Sequence, residues 1–298
     1  DQPRSRGLGD VYKRQGEGGA SWANGPSLRN WGMEFALGYR KTLASGLGLD
    51  ISGNLDFFRN KVTYLPETST GSYAHTTTQN LVESGKPYGS IVGYVVEGIF
   101  QNQAEVDASG QPNARVGGLK YADLDGKAGI TADDQDWIYN PVPAFSYGIN
   151  IALNYKGFDF SMTWSAAFKT SRLLSSMYRV PFGESNNSAV MKYMIEDAWT
   201  PEKGNSAKAP ALSFKSKSHN YQDSDLWLRD ASYVRLKNIE LGYSFPSSLM
   251  KKAHIGSLRL FVSGYNLLTF DKLKVSDPEA NPDGTASVSY THLTLPTT

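Results

Sequence analysis

The sequence predicts an all-β protein, a partial and open antiparallel transmembrane β-barrel of about six long strands whose long extracellular loops carry a short helix. Three observations point there. First, residues 144–155 place Phe145, Tyr147, Ile149, Ile151, Leu153 and Tyr155 at every second position, with small or polar residues between them. Side chains of a strand point alternately to its two faces, so one face is oily and the other wet. After Lys156 and Gly157, a two-residue hairpin link, the alternation resumes over 158–168 with Phe158, Phe160, Met162 and Trp164. Second, these runs exceed the ~5–6 residues usual in globular sheets and match the ~9–11 that a tilted strand needs to cross a bilayer. Third, the links between strands run short, long, short, long, medium, as they must in a barrel with brief turns at one rim and large loops at the other.

The remaining strands follow the same rule. Residues 30–40 alternate Trp31, Met33, Phe35, Leu37 and Tyr39 against Gly32, Glu34, Ala36 and Gly38. Residues 47–59 set Leu49, Ile51, Leu55 and Phe57 against Asp50, Ser52, Asn54 and Asp56. Residues 232–245 carry Ile239, Leu241, Tyr243 and Phe245 opposite Asn238, Glu240, Gly242 and Ser244, and 257–269 carry Leu258, Leu260 and Val262 opposite Arg259, Phe261 and Ser263. Two long loops, 60–142 and 169–226, are too long for idle linkers. In the second, the spacing of Val190, Met194 and Ala198 and of Met191, Ile195 and Trp199 predicts a helix over 189–199, stopped by Pro201. The barrel segment therefore occupies 16–288. Residues 1–15 and 289–298 share no pattern with their neighbours and read as adapter-like, non-native sequence, with real tails as the alternative; the glycines of 16–19 read as a flexible end.

Composition narrows the function classes. A formal net charge of +1, with its cations scattered, provides no field for nucleic acid. The chain has no cysteine, which removes disulfides, thiolate nucleophiles and cysteine-bound metals. No apolar run is long enough for a spanning helix, a criterion that says nothing against barrel strands. No nucleophile elbow, phosphate loop or paired zinc ligands is present, so the chain reads as a non-enzyme with no cofactor.

Three groups of residues are candidates for chemistry. Asp123, Asp125 and Asp134 occupy positions one, three and twelve of a loop resembling an EF-hand, with Ile130 at eight, but Lys127 stands at five and Ala128 at six in place of a ligand and the turning glycine. An acidic solvated turn is favoured there over calcium. The loop aromatics Tyr178, Tyr193, Trp199, Tyr221 and Trp227 are candidates to stack on sugar rings, against packing within the loops or meeting a partner. Asp50, Asn54, Asp56, Asn150 and Glu240 are candidates to line a watery lumen, against hydrogen-bonded filler. His75, His219, His254 and His292 read as solvated surface residues.

Residues 225–270 resemble the C-terminal barrel of the SusC/RagA family of TonB-linked outer-membrane proteins. The resemblance rests on Ser232-Tyr233-Val234-Arg235-Leu236-Lys237-Asn238, Leu241-Gly242-Tyr243 and Gly264-Tyr265-Asn266-Leu267, with further matches at Gly98-Ile99-Phe100-Gln101, 118–125, 141–145, 147–159 and Trp199-Thr200-Pro201-Glu202, in the family's order. It implies a barrel of about 22 strands closed by a plug, located in the Gram-negative outer membrane and powered through TonB. It also implies a SusD-like surface lipoprotein as lid and cargo of glycan fragments, or sometimes oligopeptides. On this resemblance the plug, the TonB-contacting segment, the earlier strands and a closing strand after Gly284 lie outside the chain. The competing readings are a soluble or surface-attached glycan-binding β-protein with the oily faces buried in a sandwich, and a passive porin.

Overall fold

The computed structural model describes residues 27–64, 84–127, 129–139, 142–182, 189–214 and 217–279. The adapter-like ends, the glycines of 16–19, His75, Ala128, His292 and any strand after Gly284 lie outside the described residues.

The strands in chain order are β1 (Ser27–Thr42), β2 (Gly48–Tyr64), β3 (Ile91–Tyr94), β4 (Val96–Ile99), β5 (Leu119–Tyr121), β6 (Gln135–Tyr139), β7 (Phe145–Tyr155), β8 (Phe158–Phe168), β9 (Ser171–Leu173), β10 (Leu228–Asp230), β11 (Tyr233–Ser244) and β12 (Arg259–Asp271). Six of them, in the order β1-β2-β7-β8-β11-β12, form one antiparallel sheet; the others pair in twos as β3–β6, β4–β5 and β9–β10. The sheet strands run 11 to 17 residues, long enough to span a bilayer at a tilt. At the β7–β8 turn Lys156 (φ 48°) and Gly157 (φ 88°) both adopt the left-handed region, the backbone of a type I′ hairpin that follows the twist of its strands.

Register aligns the alternations of all six strands. Tyr39 pairs with Ile51, Ile51 with Ile151, Ile151 with Met162, and Met162 with Ile239, so a continuous apolar row crosses the sheet from β1 to β11. One strand later Leu241 pairs with Val262. A slip of one residue would turn a strand's entire oily set to the wrong face, so this agreement is the strongest check on the alternation. Among the described residues no second sheet covers the oily face: Leu37 is 81% exposed and Val262 67%. The sandwich reading required those side chains to be buried. An open six-stranded wall of a barrel is what the chain forms.

The buried core lies elsewhere, in the two long excursions. Phe100, Leu119 and Tyr121 are buried in the first, and Leu174 and Trp227 in the second, joined by Leu273 from beyond β12. Hydrogen bonds stitch the two excursions together: Tyr94 N–H donates to the Asp223 carbonyl (2.9 Å), Val96 N–H to Asp225 Oδ1 (2.9 Å) and Leu119 N–H to Asn220 Oδ1 (3.0 Å). The long connections thus make one packed layer at one rim of the wall.

Short helices punctuate this layer: α1 (Gln103–Ser109), α2 (Ser176–Arg179), α3 (Lys192–Asp197) and α4 (Lys217–Asn220), with α5 (Ser247–Lys252) in the β11–β12 link. The helix expected over 189–199 is shortened to α3. Ala198 leaves the helix to bridge Ala209, and Trp199 N–H donates to the Ala209 carbonyl at 2.9 Å, so pairing replaces the last turn. Helix α1 was legible but unread: Asn102 caps it by accepting from Glu105 N–H (3.0 Å), Glu105 reaches back to Gln101 N–H (2.9 Å), and Gly110 closes it in the left-handed region.

Candidate functional site

The wall separates charge by face. Glu34, Asp50, Asp56, Asp159, Glu240 and Asp271 are the carboxylates of the six strands, and register places all of them on the face opposite the oily rows. Their partners lie on that same face: Arg40 donates to Asp50 through Nε at 2.8 Å, and Arg259 bridges Asp159 and Glu240 across three strands. Thr163 Oγ1 donates to Asn150 Oδ1 at 2.9 Å. The polar face therefore carries a hydrogen-bonded ionic network suited to water, while the oily face has no carboxylate. Of the readings weighed for these residues, hydrogen-bonded filler describes these contacts.

The five loop aromatics do not converge on one open surface. Trp227 is 1% exposed and Tyr221 is buried; they pack together with ring centroids 5.4 Å apart in the core with Leu174 and Leu273. Tyr178 and Tyr193 are half-buried against the same cluster, and the Tyr193 hydroxyl donates to the Tyr178 carbonyl. Trp199 stands apart, half-buried, its Nε1–H donating to Gln101 Oε1 at 3.0 Å. Its ring lies on Gly117 (φ 78°), where a Cβ would come within 2.6 Å of Trp199 Cε3. Of the alternatives weighed for these rings, packing the loops is what Trp227 and Tyr221 do here.

The acidic loop is brought together as expected: one carboxylate oxygen from each of Asp123, Asp125 and Asp134 lies within 4.8 Å of the others. Asp134 is fully buried, and its two oxygens accept from the backbone N–H groups of Leu124 (2.9 Å), Asp125 (3.3 Å) and Thr131 (2.7 Å). The Thr131 bond comes first in holding its carboxyl below the ordinary range. Lys127 bends back so that its Nζ donates to Asp125 Oδ2 at 2.7 Å and sits 3.7 Å from Asp133. That bond lowers the Asp125 carboxyl and raises the Lys127 ammonium. A lysine cation thus stands beside the carboxylates at the fifth position, where a calcium loop supplies an oxygen. The residues present do not fit a full calcium ligand set.

His219 departs from the sequence expectation of a solvated histidine. It is buried, its Nε2 lies 2.7 Å from the Leu119 carbonyl, and its ring packs 5.2 Å from that of Tyr121, whose hydroxyl donates to the His219 carbonyl at 2.6 Å. Burial holds its pKa below the usual value, against the opposing effect of the Leu119 and Pro112 carbonyls. Its neighbours explain the difference: a residue a hundred positions away, invisible to local spacing, closes over it.

No protein-family model matches the chain. Curated relatives do. TonB-dependent receptor P3 of Formosa agariphila is 33% identical over 85% of this chain, and TonB-dependent receptor SusC of Bacteroides thetaiotaomicron is 26% identical over 85%. The solved structure of the RagAB peptide transporter superposes with a TM-score of 0.69 at 22% identity, over 89% of this chain and 28% of that one. The chain belongs to the SusC/RagA-type TonB-dependent receptors. It spans about a quarter of the length of the relatives it matches, 25% of receptor P3 and 24% of SusC.

Two stretches quoted for the family resemblance meet in space in this receptor segment. The pairing of β11 shifts between Leu236 and Asn238 on both sides: against β8 Lys237 is the extra residue of a bulge, and against β12 it lies opposite two strand residues, Asn266 (φ 52°) and Leu267. Two residues before the bulge, Arg235 projects from the polar face and is 5% exposed. Its guanidinium donates to Thr269 Oγ1 (3.0 Å), Asp277 Oδ1 (2.7 Å) and Glu279 Oε2 (2.5 Å), while Arg172 grips the Asp277 and Pro278 carbonyls at 2.7 and 2.8 Å. The receptor's residues 272–279 are thereby strapped across the polar face at the long-loop rim, with Leu273 sunk in the loop core. Sequence reading missed this cluster, although the unusual Arg and Lys on one strand face were its visible sign.

Proposed function

We infer that the chain forms part of the barrel wall of an outer-membrane importer, with the oily face against lipid and the ionic face toward the lumen. The observation that carries this reading is the uncovered apolar face of a wall whose carboxylates all lie on the other side. The family adds the energy source: such receptors are driven through TonB, which would engage parts of the receptor outside this chain. Glycan fragments are the proposed cargo, delivered beneath a SusD-like surface lipoprotein, as the family resemblance of residues 225–270 implies. Oligopeptides are the second reading, supported by the fold's likeness to a structure described as a peptide transporter.

The proposed cargo contacts are Tyr178, Tyr193 and Trp199, whose rings stay half-exposed, with Tyr221 and Trp227 bracing them from beneath. The acidic loop is proposed to work without calcium, Lys127 supplying its cation. Uptake of labelled oligosaccharides and oligopeptides by cells carrying the full-length receptor tests the reading. It calls for accumulation of the saccharide that disappears when TonB is removed. Accumulation of peptide alone would transfer the assignment to the second cargo, and accumulation independent of TonB would end the import reading.

A further inference from the structure

At the long-loop rim the outer face stops being purely apolar. Arg29 and Lys61 are register partners across β1 and β2, and the next outward-facing pair is Trp31 with Arg59. Like charges placed directly opposite each other weaken a strand pair. Among the described residues no carboxylate on this face relieves the repulsion, and neither the Arg29 nor the Lys61 side chain has an ionic or hydrogen-bonding partner. Arg59 lies over the Phe57 ring at 4.9 Å, and Lys169 from the end of β8 lies over the Phe145 ring at 5.5 Å, so the cations form a rim above a band of aromatic rings. Arg29, Trp31 and Lys61 also line an open groove of about 560 Å³.

Resting on the membrane reading above, we propose that Arg29, Arg59 and Lys61 form a binding site for the phosphate of an outer-leaflet glycolipid headgroup. The level is right: the site lies just beyond the apolar band, on the rim that carries the long loops, where acyl chains give way to headgroups. The chemistry is right as well. Guanidinium groups take phosphate oxygens bidentately and an ammonium adds a point charge, while Trp31 offers an amphipathic ring to the interface. An anion between Arg29 and Lys61 turns their mutual repulsion into attraction. At the opposite rim, Lys41 of β1 has Leu49 as its register partner and Lys156 sits in the β7–β8 turn, so neither faces a second cation across a strand pair, which makes them the matched control.

The test uses the full-length receptor purified from outer membranes in detergent. Its thermal midpoint is followed while adding bis-phosphorylated lipid A, its dephosphorylated form, or inorganic phosphate. The phosphorylated lipid should raise the midpoint saturably. The Arg29→Gln/Arg59→Gln/Lys61→Gln variant should need about tenfold or more additional lipid, as loss of charge-assisted phosphate bonds implies. Lys41→Gln/Lys156→Gln should behave like the parent, and the single exposed Lys61→Gln, which disturbs the fold least, should fall between. Equal response of parent and triple variant, equal response to the dephosphorylated lipid, or saturation by inorganic phosphate alone would overturn the proposal while leaving the membrane reading intact. Failure to recover the parent from the outer-membrane fraction would overturn both.

Discussion

Arg235 and Asp277 are joined at 2.7 Å across the polar face of the wall, and through this bond a strand residue holds a segment 42 positions later, after the chain has left the sheet. The fork is completed by Glu279, whose Oε2 is shared with the Lys237 ammonium. Removing the guanidinium would leave two carboxylates near one another with a single lysine between them. Arg235→Ala should free the strap at a cost of about 1.5–3 kcal/mol, the range for hydrogen bonds to charged groups. Arg235→Lys should recover little, since a point charge cannot engage Thr269, Asp277 and Glu279 at once. Hydrogen exchange of residues 272–279 in the full-length receptor measures it: unchanged protection in Arg235→Ala would contradict the strap.

Gly32 and Gly38 lie on the same face of β1, yet only one of them needs to be glycine. A Cβ at 32 would sit 2.2 Å from the Phe57 carbonyl oxygen, a backbone atom that cannot swing aside, whereas a Cβ at 38 would meet nothing within 4 Å. Gly32→Ala should therefore force β1 away from β2 and destabilise the wall by roughly 1–3 kcal/mol, as overpacking does. Gly38→Ala should be neutral. Thermal unfolding of the two variants in detergent separates them, and equal midpoints would mean that the strands are not packed as described.

His219 links the loop layer to pH. Its folded pKa lies below its ordinary value because burial disfavours the imidazolium, so below about 6.5 the unfolded layer takes up a proton that the folded layer refuses. Stability contributed by the neutral ring is complete above that pH and is lost as pH falls toward the folded pKa. Protection of the Leu119 and Tyr121 amides should decline between about pH 7 and pH 5 in the parent. In His219→Gln, whose side chain carries no titrating ring, that slope should flatten. A slope unchanged by the substitution would assign the pH response to other groups.

The acidic loop gives a prediction of a different kind. With the Lys127 ammonium on Asp125 and Asp134 occupied by backbone N–H groups, calorimetric titration of the receptor with calcium should give no saturable heat from this loop. Saturable binding that vanishes in Asp123→Asn/Asp125→Asn would contradict the closed, lysine-held loop.

What was legible in the sequence and what was not divide along a physical line. The wall was readable because lipid and water impose a two-residue period on every strand, so Ile51, Ile151, Met162 and Ile239 could each be assigned a face without knowing that they are neighbours. The loop layer obeys no period. Phe100, Leu119, Trp227 and Leu273 are brought together from segments far apart in the chain, and their burial could not be inferred from local spacing. That is why Trp227 and Tyr221 read as candidate ligand contacts and His219 as a surface residue. The strap was partly visible: an arginine and a lysine on one strand face called for anions, but nothing nearby in sequence said that Asp277 and Glu279 would supply them.

The measurement that bears most directly on the whole account compares two adjacent residues of β7, Ile151 on the oily face and Asn150 on the polar face, in the full-length receptor. Ile151→Arg should cost about 2–4 kcal/mol near the bilayer midplane and prevent the receptor from assembling in the outer membrane. Asn150→Arg should assemble, because its side chain enters a watery, already ionic surface. If both substitutions are tolerated, or if Asn150→Arg is the more damaging, the oily face does not meet lipid and the barrel-wall account is wrong.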